Sequence, residues 1–231
     1  MKRFGLIGHP LSHSLSPKIH GELFIKNNIS AIYELIDVAD LSEINIYDYD
    51  GLNVTIPYKE KIIPLLKSLS PPAEEYGAVN CICDGIGYNT DVYGFVNSLP
   101  KKEFGKVLIL GYGGAAKMAV SEMQKISDCV YVATRREVDV QNNVNLADIP
   151  AFGYDILINA TPVGMFPKID ECPVPREVIE RCEIVFDLIY NPPETRLLSV
   201  AREMGKTVVN GMKMLYLQAE KSQEIWLQAN A

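Results

Sequence analysis

The stretch KVLILGYGGAAKMAV, residues 106–120, limits the possible folds of this chain more than any other. An apolar strand ends at Leu110, and Gly111, Gly113 and Ala116 then fit the spacing G-x-G-x-x-G/A. Each position has a mechanical reason. Gly111 permits a sharp turn, Gly113 lets the backbone approach a pyrophosphate, and Ala116 lets the following helix pack close to the strand. The free N–H groups at the helix start would receive the pyrophosphate, because the helix dipole favours negative charge there. The glycines alone would also suit a tight turn without a ligand. The context makes a β-α-β dinucleotide unit the better reading: a strand before, an Ala/Met/Val helix after, then a strand at Val130–Ala133.

The end of that next strand discriminates between cofactors. An NAD site places an acidic residue there, on the ribose 2′-hydroxyl. This chain reads YVATRRE, so Thr134, Arg135 and Arg136 occupy the place and Glu137 falls later. A guanidinium fork matches a phosphate, so NADP is the expected cofactor. The plainer alternative is a solvated pair of surface arginines.

The rest of the chain alternates strand-like with helix-like runs, as in an α/β fold with parallel strands. Strands are expected at Phe4–Ile7, Ala31–Ile36, Gly51–Ile56 and Ala78–Cys83. Helices are expected from Pro17 to Lys26, with Ser16 as cap, and over Lys59–Leu69. A polar break at Leu99–Lys102 sets a boundary, giving a first domain over 1–98 and a Rossmann-type domain over 99–210. Later strands fall at Asp155–Asn159, Ile184–Leu188 and Thr207–Val209, and Met212–Gln228 has helical spacing.

Composition excludes several classes. A net charge of -7 without a basic tail makes nucleic acid a poor partner. No apolar run is long enough to cross a bilayer, and the first one breaks at Gly8 and Pro10, too early for a secretory h-region. The five cysteines are odd in number and scattered, which suits reduced thiols and a cytoplasmic protein. Cys81 and Cys83 alone make no metal site, and Pro10 lies between His9 and His13, so no metal is expected.

Polar chemistry concentrates in the first half. Ser14 and Ser16 sit at a helix start, where hydroxyls beside free N–H groups can hold a carboxylate; simple capping is the alternative. Asn53-Val54-Thr55-Ile56-Pro57-Tyr58-Lys59 carries a strand into polar residues, and strand ends in parallel sheets are where ligands bind. Lys59 there is a candidate acid/base group. Asn80 lies inside an apolar run and must find partners. Asp91, in GYNTD, either pairs with Lys59 or caps the helix beginning near Val92.

These clusters, in this order, resemble the shikimate dehydrogenase family. The resemblance runs from Phe4 to Gln218. It is carried by S-x-S-P at Ser14–Pro17, N-V-T-x-P-x-K at Asn53–Lys59, G-A-V-N at Gly77–Asn80 and G-x-N-T-D at Gly87–Asp91. G-x-G-G-A at Gly111–Ala115, N-A-T-x-x-G-M at Asn159–Met165, D-x-x-Y-x-P at Asp187–Pro192 and the N-G…Q-A ending at Asn210 to Ala219 complete it.

The resemblance implies an N-terminal α/β substrate domain, a C-terminal Rossmann-type NADP-binding domain, and a last helix, 211–231, returning to the first domain. It implies a site between the two domains and NADP-dependent oxidation of shikimate to 3-dehydroshikimate. That reaction belongs to the shikimate pathway towards chorismate and the aromatic amino acids. Ser14 and Ser16, helped by Tyr190, would bind the substrate carboxylate. Thr55, Asn80 and Gln218 would contact ring hydroxyls, and Lys59 and Asp91 would be the catalytic pair. Gly111, Gly113, Gly114, Ala115, Thr134 and Arg135 would hold NADP; Thr161 and Met165 would lie near its nicotinamide or ribose, and Gly211 would meet the nicotinamide amide. The partners are then small molecules, and the chain is a monomer or a homodimer.

The chain departs from the family pattern in three places. The family's N-R-T is here Thr134-Arg135-Arg136. The segment from Arg136 to Asp155 is short for a crossover helix plus a strand, so the adenosine side is expected to be trimmed. The terminal helix is also expected to be short. Rival readings are a quinate/shikimate enzyme that also uses NAD, a non-catalytic sensor on the same scaffold, and a methylene-tetrahydrofolate dehydrogenase. The sensor would be expected to lose Lys59 or Asp91, and both are present.

Overall fold

The apolar runs of the first ninety residues build one sheet and those after Leu99 build another. The computed structural model describes residues 1–11 and 14–228. The pair His9/His13 therefore falls partly outside the described residues. The chain divides into two units, Met1–Gly94 with Tyr216–Ala231, and Phe95–Leu215.

The first unit contains β1 (Lys2–Gly8), α1 (Ser16–Lys26), β2 (Ala31–Asp37), β3 (Gly51–Val54), β4 (Ser68–Leu69), α2 (Pro71–Tyr76), β5 (Cys81–Cys83), β6 (Ile86–Tyr88) and most of α3 (Thr90–Val96). The strand order is β2-β1-β3-β5-β6-β4. β1 runs parallel to β2 and β3, but β5 is antiparallel to both β3 and β6. The expectation of parallel strands therefore needs correction here. For β5 and β6 the reason is local: Asp84 and Gly85 have φ of 52° and 79°, which makes a two-residue hairpin between them.

Two further expectations are corrected. No helix spans Lys59–Leu69; the segment is a series of turns with one short 3-10 turn, Ile63–Leu65. Pro64 has no N–H for the carbonyl of Glu60, and the Lys59 carbonyl accepts from Val79 N instead of from the next turn. Ser16 is not the cap of α1. Leu15 holds that position without a side-chain bond, and the Ser14 hydroxyl accepts from Ser16 N at 3.2 Å.

The aromatic core of this unit closes around the terminal helix. Trp226 is fully buried, stacks on Phe4 with ring centroids 4.6 Å apart, and donates its Nε1–H to Ile82 O at 3.0 Å. Gly51 makes this approach possible, because a Cβ there would lie 2.3 Å from the indole. His20 is also fully buried and stacks on Tyr33 at 4.3 Å, with Nε2 unpartnered among the described residues.

Burial pushes the His20 imidazole down to about 3 from its ordinary 6.5. The unfolded chain then takes up a proton that the folded one refuses. Stability is fully present above pH 6.5 and is lost as pH falls towards 3, by at most about 1.4 kcal/mol per pH unit for this group. His20→Asn is expected to flatten the pH dependence of the melting temperature between pH 6.5 and 4, whatever it does to the level. An unchanged slope would reject the assignment.

The second unit contains β7 (Phe104–Leu110), α4 (Gly114–Gln124), β8 (Ser127–Thr134), β9 (Asn143–Asn145), β10 (Tyr154–Asn159), α5 (Arg176–Glu180), β11 (Cys182–Asp187), α6 (Arg196–Glu203) and β12 (Thr207–Val209). The order is β12-β11-β10-β7-β8-β9 and every pairing is parallel. The strand order reverses between β7 and β10, the switch point at which doubly wound sheets bind ligands. Between β8 and β10 the described chain has only the three-residue β9 and no helix, which accords with a trimmed crossover. The core is Leu108, Leu110, Leu157, Val185, Leu197 and their neighbours.

The last helix, α7 (Gly211–Gln228), is 18 residues long and starts one residue before the expected span Met212–Gln228. Among the described residues, no helix is long and apolar enough to cross a membrane.

Candidate active site

The strand β3 ends in the polar residues that the sequence singled out, and the turns after it carry Lys59. Its Nζ donates to Asp91 Oδ2 at 2.5 Å. Asp91 lies within the first turn of α3, which starts at Thr90, so it is paired with Lys59 and is not the helix cap. Its other oxygen, Oδ1, accepts from Asn80 Nδ2 at 2.9 Å.

The Asn80 amide is oriented by a backbone donor. Thr90 N–H donates to Asn80 Oδ1 at 2.6 Å, and an N–H only donates, so Nδ2 must face Asp91. Asn80 is buried, as is Gln218, whose Oε1 lies 3.4 Å from Asn80 Nδ2. Both Asp91 oxygens are thus engaged, and the Lys59 ammonium, with three donors, keeps two for another oxygen. Thr55 follows β3 directly and is half-buried, its N–H bonded to Ile7 O. Ser14 and Ser16 are half-buried at the start of α1.

Behind these residues lies a buried layer that joins motif residues to Tyr33 and Ser222, which lie outside the motifs. Asn53 Nδ2 donates to Ser222 Oγ at 3.0 Å and to Asn80 O at 3.1 Å, and Asn53 Oδ1 accepts from Tyr33 at 2.8 Å. Ser222 Oγ also lies 3.1 Å from Thr90 Oγ1. Asn53 does carry a signal in the sequence: it is a polar residue inside the apolar strand Gly51–Val54, the same logic that flags Asn80. Ser222 carries no such signal, since its partners come from far along the chain.

In the second unit, Gly111 adopts φ 95°, and a Cβ there would lie 2.9 Å from Thr161 Cγ2. Gly113 is the cap of α4 and offers no side chain to the first-turn N–H groups. A Cβ added at Gly113 or Gly114 would meet open space. The turn is therefore an open cradle of unsatisfied donors beside Ala115, which fits a pyrophosphate.

Thr134 is buried. Its hydroxyl donates to Arg136 O at 2.5 Å and accepts from Asn143 Nδ2 at 2.9 Å, so it holds the arginine turn in shape. Arg135 and Arg136 are exposed. An open cavity of about 850 Å³ lies at this edge, lined by Thr134, Arg136, Asn143 and Asn145 among others. Glu137 and Asp139 line it too, so the cations available to a 2′-phosphate at this solvent-facing end are Arg136 on the rim and Arg135 beside it in sequence.

At the ends of β10 and β11 a second buried network appears. Asp187 is fully buried and accepts from Thr195 Oγ1 at 2.6 Å, Asn159 Nδ2 at 3.0 Å and Ile189 N at 3.1 Å. Burial pushes its carboxyl up to about 6 against these three donors. Asn159 Oδ1 in turn accepts from Thr161 Oγ1 at 2.7 Å. Met165 is exposed, and Tyr190 is half-buried in the loop after β11. Gly211 opens α7, where a Cβ would lie only 2.1 Å from Leu188 O, so no larger residue fits this backbone.

With these features in place, comparison with known proteins is direct. A family model described as the shikimate dehydrogenase substrate binding domain matches residues 6–82. The chain is 38% identical to the shikimate dehydrogenase (NADP(+)) of Clostridium beijerinckii, over 98% of this chain and 92% of that protein. The chain belongs to the shikimate dehydrogenase family.

Solved structures of the family agree. Shikimate dehydrogenase 1 of Peptoclostridium difficile is 38% identical with a TM-score of 0.84, covering 99% of this chain and 92% of that one. The shikimate 5-dehydrogenase of Thermus thermophilus, solved in complex with NADP(H) and shikimate, is 30% identical with a TM-score of 0.84, covering 98% and 93%.

Proposed function

We propose that this protein catalyses the reversible NADP-dependent oxidation of shikimate to 3-dehydroshikimate, a step of the pathway to chorismate and the aromatic amino acids. The observation that carries this reading is the Lys59–Asp91 pair, oriented by Asn80, in a chain whose relatives bear that activity in their names. Ser14 and Ser16 take the substrate carboxylate, with Tyr190 assisting. Thr55, Asn80 and Gln218 take the ring hydroxyls.

In the oxidation direction, the C–H bond of the carbinol breaks with its electron pair and the O–H bond yields a proton. NADP, when bound, supplies the acceptor for the hydride. Lys59 places its free ammonium donors on the reacting oxygen, where they stabilise developing alkoxide charge. Asp91 holds Lys59 in place; as Lys59 passes a proton to the Asp91 carboxylate it takes the one that the carbinol oxygen releases, so the pair as a whole gains one proton. Gly111, Gly113, Gly114 and Ala115 hold the pyrophosphate. Arg135, on the turn fixed by Thr134, takes the 2′-phosphate, with Arg136 in support. Thr161, Met165 and Gly211 lie on the nicotinamide side. All five cysteines are free thiols, which supports a reducing, cytoplasmic setting.

Shikimate-dependent formation of NADPH at alkaline pH, read by absorbance, tests the activity. No turnover with either NADP or NAD would remove the reading. A charge-assisted phosphate contact is worth about 1.5–3 kcal/mol. Arg135→Ala is therefore expected to lower kcat/KM with NADP by about 10- to 100-fold and to leave NAD nearly unchanged. An equal loss with both cofactors would deny Arg135 the phosphate role.

A further inference from the structure

Asp187 is a buried carboxylate whose partners are all neutral. Such a group is an expensive way to hold a fold together, because well-packed apolar residues often serve stability as well or better. Its three donors come from separate pieces of backbone. Asn159 ends β10, Ile189 follows β11, and Thr195 caps α6.

Two of these donors lead on to residues of the proposed cofactor site. Asn159 Oδ1 accepts from both the N–H and the hydroxyl of Thr161, whose methyl abuts Gly111 in the glycine-rich turn. Ile189, held by its N–H on Asp187, uses its carbonyl to accept from Gly211 N at 3.0 Å. Leu188 N donates to Asn159 O at 3.0 Å, closing the two loops on each other. The carboxylate thus sits where the strand ends of a doubly wound sheet present their ligand-facing loops.

We infer that Asp187 is a positioning residue of the NADP site, fixing Thr161 through Asn159 and Gly211 through Ile189. The inference rests on the NADP reading given above. Asp187 touches no reacting atom in this scheme. It acts by holding two loops in one register, so that a bound nicotinamide end meets preset groups and not mobile ones.

The test uses the full chain and reads the NADPH dissociation constant by fluorescence, alongside the KM for shikimate. Thr195→Val removes one donor at nearly constant volume and is expected to weaken NADPH binding at least fivefold, with the shikimate KM within twofold. Thr195→Ser keeps the hydroxyl and is expected to stay within twofold of the unsubstituted protein for both. Asp187→Asn, which cannot accept from all three donors, gives the same readout if Thr195→Val does not fold. NADPH affinity changed by less than fivefold in the folded variant, or a shikimate KM that rises in step with it, overturns the inference. Failure of the unsubstituted protein to bind NADPH overturns the NADP reading itself, and this inference with it.

Discussion

Lys59→Ala is expected to lower kcat by about 10²–10⁴-fold, the range removed with a positioned acid/base group, while shikimate binding stays within about tenfold. The asymmetry follows from the geometry. Lys59 contributes one donor to Asp91, and in the proposed scheme it would offer the others to the reacting oxygen, where charge develops only as the hydride leaves. The carboxylate and ring hydroxyls of the substrate keep their other partners, so ground-state binding survives. Asp91→Asn is expected to be severe as well, since an amide facing the ammonium offers at best a neutral acceptor. Single-turnover measurement separates the chemical step from release. A Lys59→Ala enzyme with near-normal turnover would refute the catalytic role of Lys59.

The second large effect is on stability. Trp226→Ala is expected to cost about 3–5 kcal/mol in chemical unfolding, the range for large aromatic truncation in a packed core. Trp226 fills the space over Gly51, stacks on Phe4, and satisfies the carbonyl of Ile82, which would otherwise lose its indole donor. It is the one tryptophan of the chain, so the variant must be followed by circular dichroism and not by fluorescence. Trp226→Phe keeps the stack without the donor and is expected to cost less. The loss should reach the site too, because α7 also carries Gln218 and Ser222, which bond Asn80 and Asn53. A cost below about 1 kcal/mol would show that the helix is anchored by other contacts.

Several elements are legible in the amino-acid sequence alone. The strand ending at Leu110, the turn at Gly111–Gly114 and the helix after it follow from local rules, since each step needs only neighbours in sequence. Buried Asn80 is legible for the same kind of reason: an amide in an apolar run demands partners. The helix expected over Lys59–Leu69 does not form, because Pro64 and the long-range bond from Val79 N override its apolar spacing. The antiparallel β5–β6 pair has a local signal in the dipeptide Asp84-Gly85, which the alternation of strand-like and helix-like runs conceals.

What the chain determines by itself is what short-range chemistry can specify. That covers the dinucleotide turn, the arginines at the end of β8, the segment before β10 too short for a crossover helix, and the polar residues placed on strand ends. What only the tertiary structure decided is which of those polar groups meet. Lys59 and Asp91 lie 32 residues apart, and Asn53 and Ser222 lie 169 apart. Asp187 is one letter of a motif until burial brings Asn159 and Thr195 onto its oxygens. Hydrogen bonds act over about 3 Å in space, not along the chain. Their pairing is therefore set by how the sheets and helices pack.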